Sequence, residues 1–222
     1  MASQTSNRWR RKLILVFFFS VAMALVEAAV VVYLRALYYP EGFTFPLRMM
    51  PADILRIEIA REAATIMMLL TVAAVAARRF WEKFAFFIFA FGVWDIFYYI
   101  YLKLFLDWPL SILDWDILFL IPLPWIGPVL APLTVSVIMI VMSLLILRRS
   151  QKETAFRPPH LAYGLTITGI SAILYTFMVD TDATLQQQNP QPFQYWIYAA
   201  GVMFLIAAMI ITFRGGIKKT KK

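Results

Sequence analysis

Apolar residues dominate six runs of this chain, at residues 13–35, 54–77, 84–106, 128–147, 161–179 and 194–213, and polar or proline-rich stretches separate them. A helix rises 1.5 Å per residue, so about 20 apolar residues span the ~30 Å hydrocarbon layer of a bilayer. The pattern predicts an all-α integral membrane protein with six transmembrane helices, forming a single polytopic domain over 1–222. In the first run, Ala22-Met23-Ala24 resembles a signal-peptide cleavage site. The apolar residues nevertheless continue through Val30, Val31, Val32 and Leu34 to full spanning length, which predicts an uncleaved first helix.

Residues 107–132 break the pattern. Pro109, Pro122, Pro124, Pro128 and Pro132 remove backbone donors there, so one continuous helix is excluded. Ser111 with Asp114 three residues on reads as a helix start. That predicts a short, proline-bounded interfacial or re-entrant helix over 112–120, followed by a fourth span with Pro128 at its first position. Irregular backbone at membrane depth is tolerated only against protein or a wet cavity, which makes this stretch a candidate lid. An ordinary proline-rich surface loop is the competing reading.

Composition agrees with the pattern: 62% of the residues are hydrophobic, 15% are charged and the mean hydropathy is +0.73. A soluble domain of this size has no means of hiding so much apolar surface. The chain has no Cys, which removes disulfides and thiolate metal sites. Its net charge of +8 is explained by placement, because sixteen of the 21 Lys and Arg fall in the N-terminal arm, 78–83, 148–157 and 214–222. By the positive-inside rule that side is cytoplasmic and holds both termini, most simply at the plasma membrane. Attraction to anionic headgroups adds to this, and no nucleic-acid partner is called for. The tail over 214–222 is expected to be mobile.

The acids lie the other way. Only Glu82 and Glu153 fall on the basic side, leaving eleven of the thirteen in outer loops or the outer parts of helices. Helical rise puts Glu27 and Asp95 roughly 15 Å, and Glu62 roughly 12 Å, below the outer boundary. A charge at the centre of a spanning helix costs about 2.5 to 3.5 kcal/mol on insertion scales, so these carboxyls need receivers. Spacings of three and four place Glu58, Arg61 and Glu62 together, and likewise Asp95, Tyr98 and Tyr99. With Glu27, Arg35 and Lys103 they make one expected polar cluster built from the first three helices, and Asp116 of the following stretch is a further pocket candidate. Trp94, Tyr98, Tyr99, Trp108, Trp115 and Trp125 read either as an outer aromatic belt or as pocket lining.

An internal echo links two of these positions. Glu27 precedes Tyr33, Leu34 and Arg35 at the same offsets at which Asp95 precedes Tyr101, Leu102 and Lys103, and Asp53-Ile54-Leu55 matches Asp116-Ile117-Leu118. A tandem duplication of a helical hairpin would produce it, although such matches come cheaply in so apolar a chain. Gly164 and Gly169 read as close-packing positions of the fifth helix.

Carboxylates and cations in such a cluster can bind a hard cation through oxygen, transfer protons or hold a charged headgroup. Zinc, haem and iron–sulfur centres are disfavoured, because His160 is the only His and lies in a basic-side loop. The Glu-x-x-His pairs of di-iron bundles, nucleophile motifs and dinucleotide fingerprints are missing from the sequence. Three functions fit: a pocket protein binding a lipid headgroup, small polar molecule or cation, alone or within a larger membrane assembly or homo-oligomer; a lipid- or isoprenoid-converting enzyme using Asp/Glu acid–base chemistry; and a small proton- or cation-coupled carrier. Packing ion pairs with no further role are the competing structural reading. The pattern names no substrate and no cofactor.

Overall fold

The computed structural model describes residues 2–151 and 156–214. Lys152 and Glu153 of the basic loop, and tail residues 215–222, lie outside the described residues. The elements in chain order are α1 (Ala2–Tyr38), α2 (Ala52–Ala76), α3 (Phe80–Leu106), β1 (Trp115–Phe119), β2 (Trp125–Pro128), α4 (Leu130–Ser150), α5 (His160–Met178), α6 (Thr181–Leu185) and α7 (Tyr195–Arg214). Six of the helices, with α5 continuing into α6, are long and apolar enough to cross a membrane, as a multipass membrane protein requires.

Helix α3 is the hub of this bundle. In its most apolar window 61% of residues are buried, against 33% or fewer in each other span. Its sequence explains why, since Ala85, Phe86, Ile88, Phe89, Ala90 and Val93 cover one broad side of the helix and Phe84, Phe87 and Phe91 the other, which leaves it apolar all round. Helices α1, α2 and α4 all pack on α3, whereas α1 and α2 touch each other only lightly. Gly92 lets α4 approach closely: a Cβ there would lie 2.7 Å from the Ser136 carbonyl oxygen. Helices α5 and α7 form the second pair, meeting where a Cβ on Gly169 would lie 2.8 Å from the Gly201 carbonyl oxygen. Gly169 is thus a close-packing position, but Gly164 is not, because it faces open space.

At one end of the bundle basic side chains meet helix carboxyl termini. Lys12 Nζ donates to the Ala76 carbonyl at 2.6 Å and Arg79 to that of Ser150 at 3.3 Å, at the last residues of α2 and α4. Cations there satisfy orphan carbonyls and complement the helix dipole.

The opposite end carries the main departure from expectation. Residues 112–120 form no short helix. Trp115–Phe119 and Trp125–Pro128 pair as an antiparallel ribbon, with Asp116 opposite Gly127, so the protein is mostly helical rather than wholly so. The Ser111–Asp114 pattern does make its local bonds, with Asp114 Oδ2 accepting from the Leu110 and Ser111 amides at 2.7 and 3.0 Å. They close a turn instead of opening a helix, because β-favouring Trp115, Ile117 and Phe119 come next and Pro122 and Pro124 block helical propagation. Pro128 consequently ends β2, and α4 begins at Leu130 with Pro132 in its first turn, where a missing N–H costs nothing. The same turn caps α4: the Asp114 and Ile112 carbonyls accept from the Val129 and Leu130 amides.

This ribbon also breaks the internal echo. Asp53 lies in the first turn of helix α2, whereas its counterpart Asp116 lies in strand β1. The resemblance stops at α1 and α3, and a duplicated helical hairpin is not what the fold contains.

Candidate functional site

At the ribbon end, α1, α2, α3 and β1 enclose a cavity of about 240 Å³. Helical period explains the walls. Glu58, Glu62, Thr65, Leu69 and Ala73 share the buried face of α2, which turns from acidic to apolar along its length. Asp95 and Tyr99 occupy one buried face of α3, with Trp94 and Tyr98 beside them. The 39–50 segment folds over the opening with Tyr39, Phe43, Leu47 and Arg48, and α6 adds Thr184 and Leu185.

Two arginines pair with three of the five carboxyls. Arg61 binds Glu27 and also Glu58, the latter at 2.7 Å, and Glu27 receives a further hydrogen bond from Thr65 Oγ1 at 3.1 Å. Arg35 Nη2 meets Asp116 Oδ1 at 2.9 Å. Its guanidinium lies between aromatic faces, 3.7 Å from the Trp108 ring centroid and 4.2 Å from that of Phe43. A planar, weakly hydrated cation suits such a slot better than an ammonium would. Burial pushes the Asp116 carboxyl up from its ordinary range, and the charge of Arg35 opposes that rise. At the opening, burial likewise raises the Tyr39 phenol, against the opposing effect of Arg48.

Glu62 and Asp95 are held differently. Glu62 Oε2 accepts the Leu120 amide at 2.8 Å and Asp95 Oδ2 accepts the Ser136 hydroxyl at 2.8 Å. Neither forms an ion pair among the described residues. The cavity also collects unmet polar groups: among the described residues Arg35 Nη1, Trp94 Nε1 and Thr184 Oγ1 are buried there without a hydrogen-bond partner, while Asp116 is met by the Tyr99 phenol and the Ile117 amide besides Arg35. Each such group costs about 1–3 kcal/mol unless something meets it. The carboxyls are spread around the walls, and among the described residues no three converge closely enough to hold a metal ion.

Of the residues singled out from the sequence, Glu27, Arg35, Glu58, Arg61, Glu62, Asp95, Tyr98, Tyr99 and Asp116 all line this cavity. Lys103 does not. It points outward and pairs with Asp107 at 2.7 Å, where both groups keep their hydration, while its counterpart Arg35 is drawn inward by Asp116. The aromatic-belt reading also gives way for Trp94 and Tyr99, each only 5% exposed, because they face the cavity and not the lipid. Trp115 and Trp125 are built into packing around Phe193 and Phe177. His160 stands exposed at the first residue of α5.

Several contributors carried little sequence signal. Arg48, Tyr39 and Phe43 belong to a proline-bounded segment with no periodicity. Thr65 was detectable as a polar residue seven positions from Glu58, on the same helix face. Ser136, Ser143 and Ser150 recur every seven residues on the buried face of α4, and only the first of them reaches a carboxyl. Compared with protein-family models, curated proteins and solved structures, the chain matches none.

Proposed function

We propose that this protein lies in the plasma membrane with both termini cytoplasmic, and that its cavity faces outward and binds the polar head of a membrane lipid or similar amphiphile. The observation that carries this reading is the collection of buried polar groups, Arg35 Nη1, Trp94 Nε1 and Thr184 Oγ1, left without partners among the described residues in one cavity that is also lined by apolar side chains. Val31 and Leu34 on α1 and Leu55 on α2 supply apolar lining, Leu55 is exposed on the bundle surface, and the two helices, though bridged by Glu27 with Arg61 and Thr65, approach each other at few backbone positions. A hydrocarbon chain can leave there while its head stays among the polar groups. Orientation is supported by the cations, since Arg10, Arg11, Lys12, Arg78, Arg79, Lys83, Arg148 and Arg149 all belong to the end opposite the ribbon.

Native mass spectrometry of the detergent-purified protein tests the reading. A retained lipid adduct is expected, lost on Trp94→Phe with Arg35→Lys and kept on Trp196→Phe, which alters an exposed residue of α7. A wild-type protein that never carries lipid overturns it. Loss of lipid turnover on Asp95→Asn, or Glu62-dependent uptake into proteoliposomes, would move the reading to the enzyme or the carrier.

A further inference from the structure

Resting on that reading, we infer that the head bound in the cavity carries an ammonium group next to an oxygen acceptor. Charge is the first argument. The five carboxyls of the cavity face Arg35 and Arg61, with Arg48 exposed at the opening. Arg61 answers Glu27 and Glu58, and Arg35 answers Asp116. Among the described residues Glu62 and Asp95 have one neutral hydrogen-bond donor apiece, 2.8 Å away in both cases. A ligand cation is the missing complement, and an anionic head would enter against a surplus of acid.

Ring geometry points the same way. Trp94 and Tyr98, beside Asp95 on α3, are stacked with centroids 6.4 Å apart and planes 25° apart, and both line the cavity. Aromatic faces next to a carboxylate are a favourable surround for an ammonium, and they favour it most where water is excluded. The oxygen acceptor follows from the donors. Among the described residues Arg35 Nη1 and Trp94 Nε1 have no partner, on residues 7% and 5% exposed, and an amine alone would leave both unmet. An ammonium two carbons from a phosphate or hydroxyl oxygen answers both sets of groups. This chemistry is shared by a zwitterionic lipid headgroup and a free amino alcohol phosphate.

The test is calorimetric titration of the detergent-purified full chain with three probes: dihexanoyl phosphatidylethanolamine, dihexanoyl phosphatidylglycerol and free phosphoethanolamine. The ethanolamine lipid is expected to bind about tenfold or more tightly than the glycerol lipid, the discrimination that a charged hydrogen bond in a buried site supplies. Glu62→Gln and Asp95→Asn, both close in shape to the native residues, are expected to shrink that preference. The comparison among probes on the unaltered protein decides the matter even where a variant fails to fold. Equal binding of the two lipids, or preference for the glycerol lipid, overturns the ammonium inference and leaves lipid binding standing. Binding of neither lipid nor phosphoethanolamine overturns both. Phosphoethanolamine binding as tightly as its lipid supports the ammonium and assigns the head to a free polar molecule, which overturns the lipid reading instead.

Discussion

Arg61 and Arg35 each hold a carboxylate in the same cavity, yet they are built into it differently. Arg61 serves two acids and is 20% exposed at its side chain, so its removal strands Glu27 and Glu58 in a poorly hydrated site. Arg61→Met is expected to lower stability by about 3 kcal/mol, measured by thermal unfolding in detergent, and Glu27→Gln in that background recovers part of the loss. Arg35 pairs with one acid and stacks between two rings. Arg35→Lys keeps the charge but loses the fork and the stacking, and a loss of about 1–2 kcal/mol is expected by the same measurement. Carboxyls in apolar runs are conspicuous, which is why Glu27, Glu62 and Asp95 were legible from the sequence alone. Their partners were less so: Ser136 is an ordinary residue in an apolar helix, and Asp116 finds Arg35 across 81 positions of chain.

Among the elements, α3 and the ribbon shape the site most. The all-round apolar sequence of α3 announces a central helix, and Gly92 is where α4 seats against it. Gly92→Ala is expected to push α4 away and destabilise by about 1–3 kcal/mol, the usual cost of overpacking. Gly164→Ala has open space and a helical backbone, so denaturant unfolding should show stability unchanged or raised by up to about 1 kcal/mol. A sequence reading that treats the two glycines of α5 alike misses the difference, because only the position of α7 separates Gly169 from Gly164. The ribbon departs from the helix that its local pattern predicts for a related reason. Ser111 and Asp114 carry the local chemistry of a helix start, and their bonds form, but bonds within a turn do not dictate whether a helix or a strand leaves it. Pairing with β2, ten or so residues on, settles that.

Across the whole molecule, orientation is the property most open to direct measurement. The chain has no native Cys, so single cysteines report without background. Gln186→Cys, just after α6, is expected to react with a membrane-impermeant thiol reagent on intact cells, and Arg157→Cys, just before α5, only after permeabilisation. The reverse pattern would turn the cavity toward the cytoplasm. By itself the sequence determined the number of spans, their approximate limits, the asymmetry of charge and the identity of most acids in the cavity. Those properties come from hydrophobic length and from the cost of isolated charge in hydrocarbon, both of which act on a short stretch of chain at a time. Only the tertiary structure decided that Arg35 turns inward while Lys103 turns out, that Glu62 and Asp95 pair with no cation among the described residues, and that a strand ribbon closes the end of the bundle. Each of these depends on which distant segment arrives alongside, and helical periodicity carries no record of that.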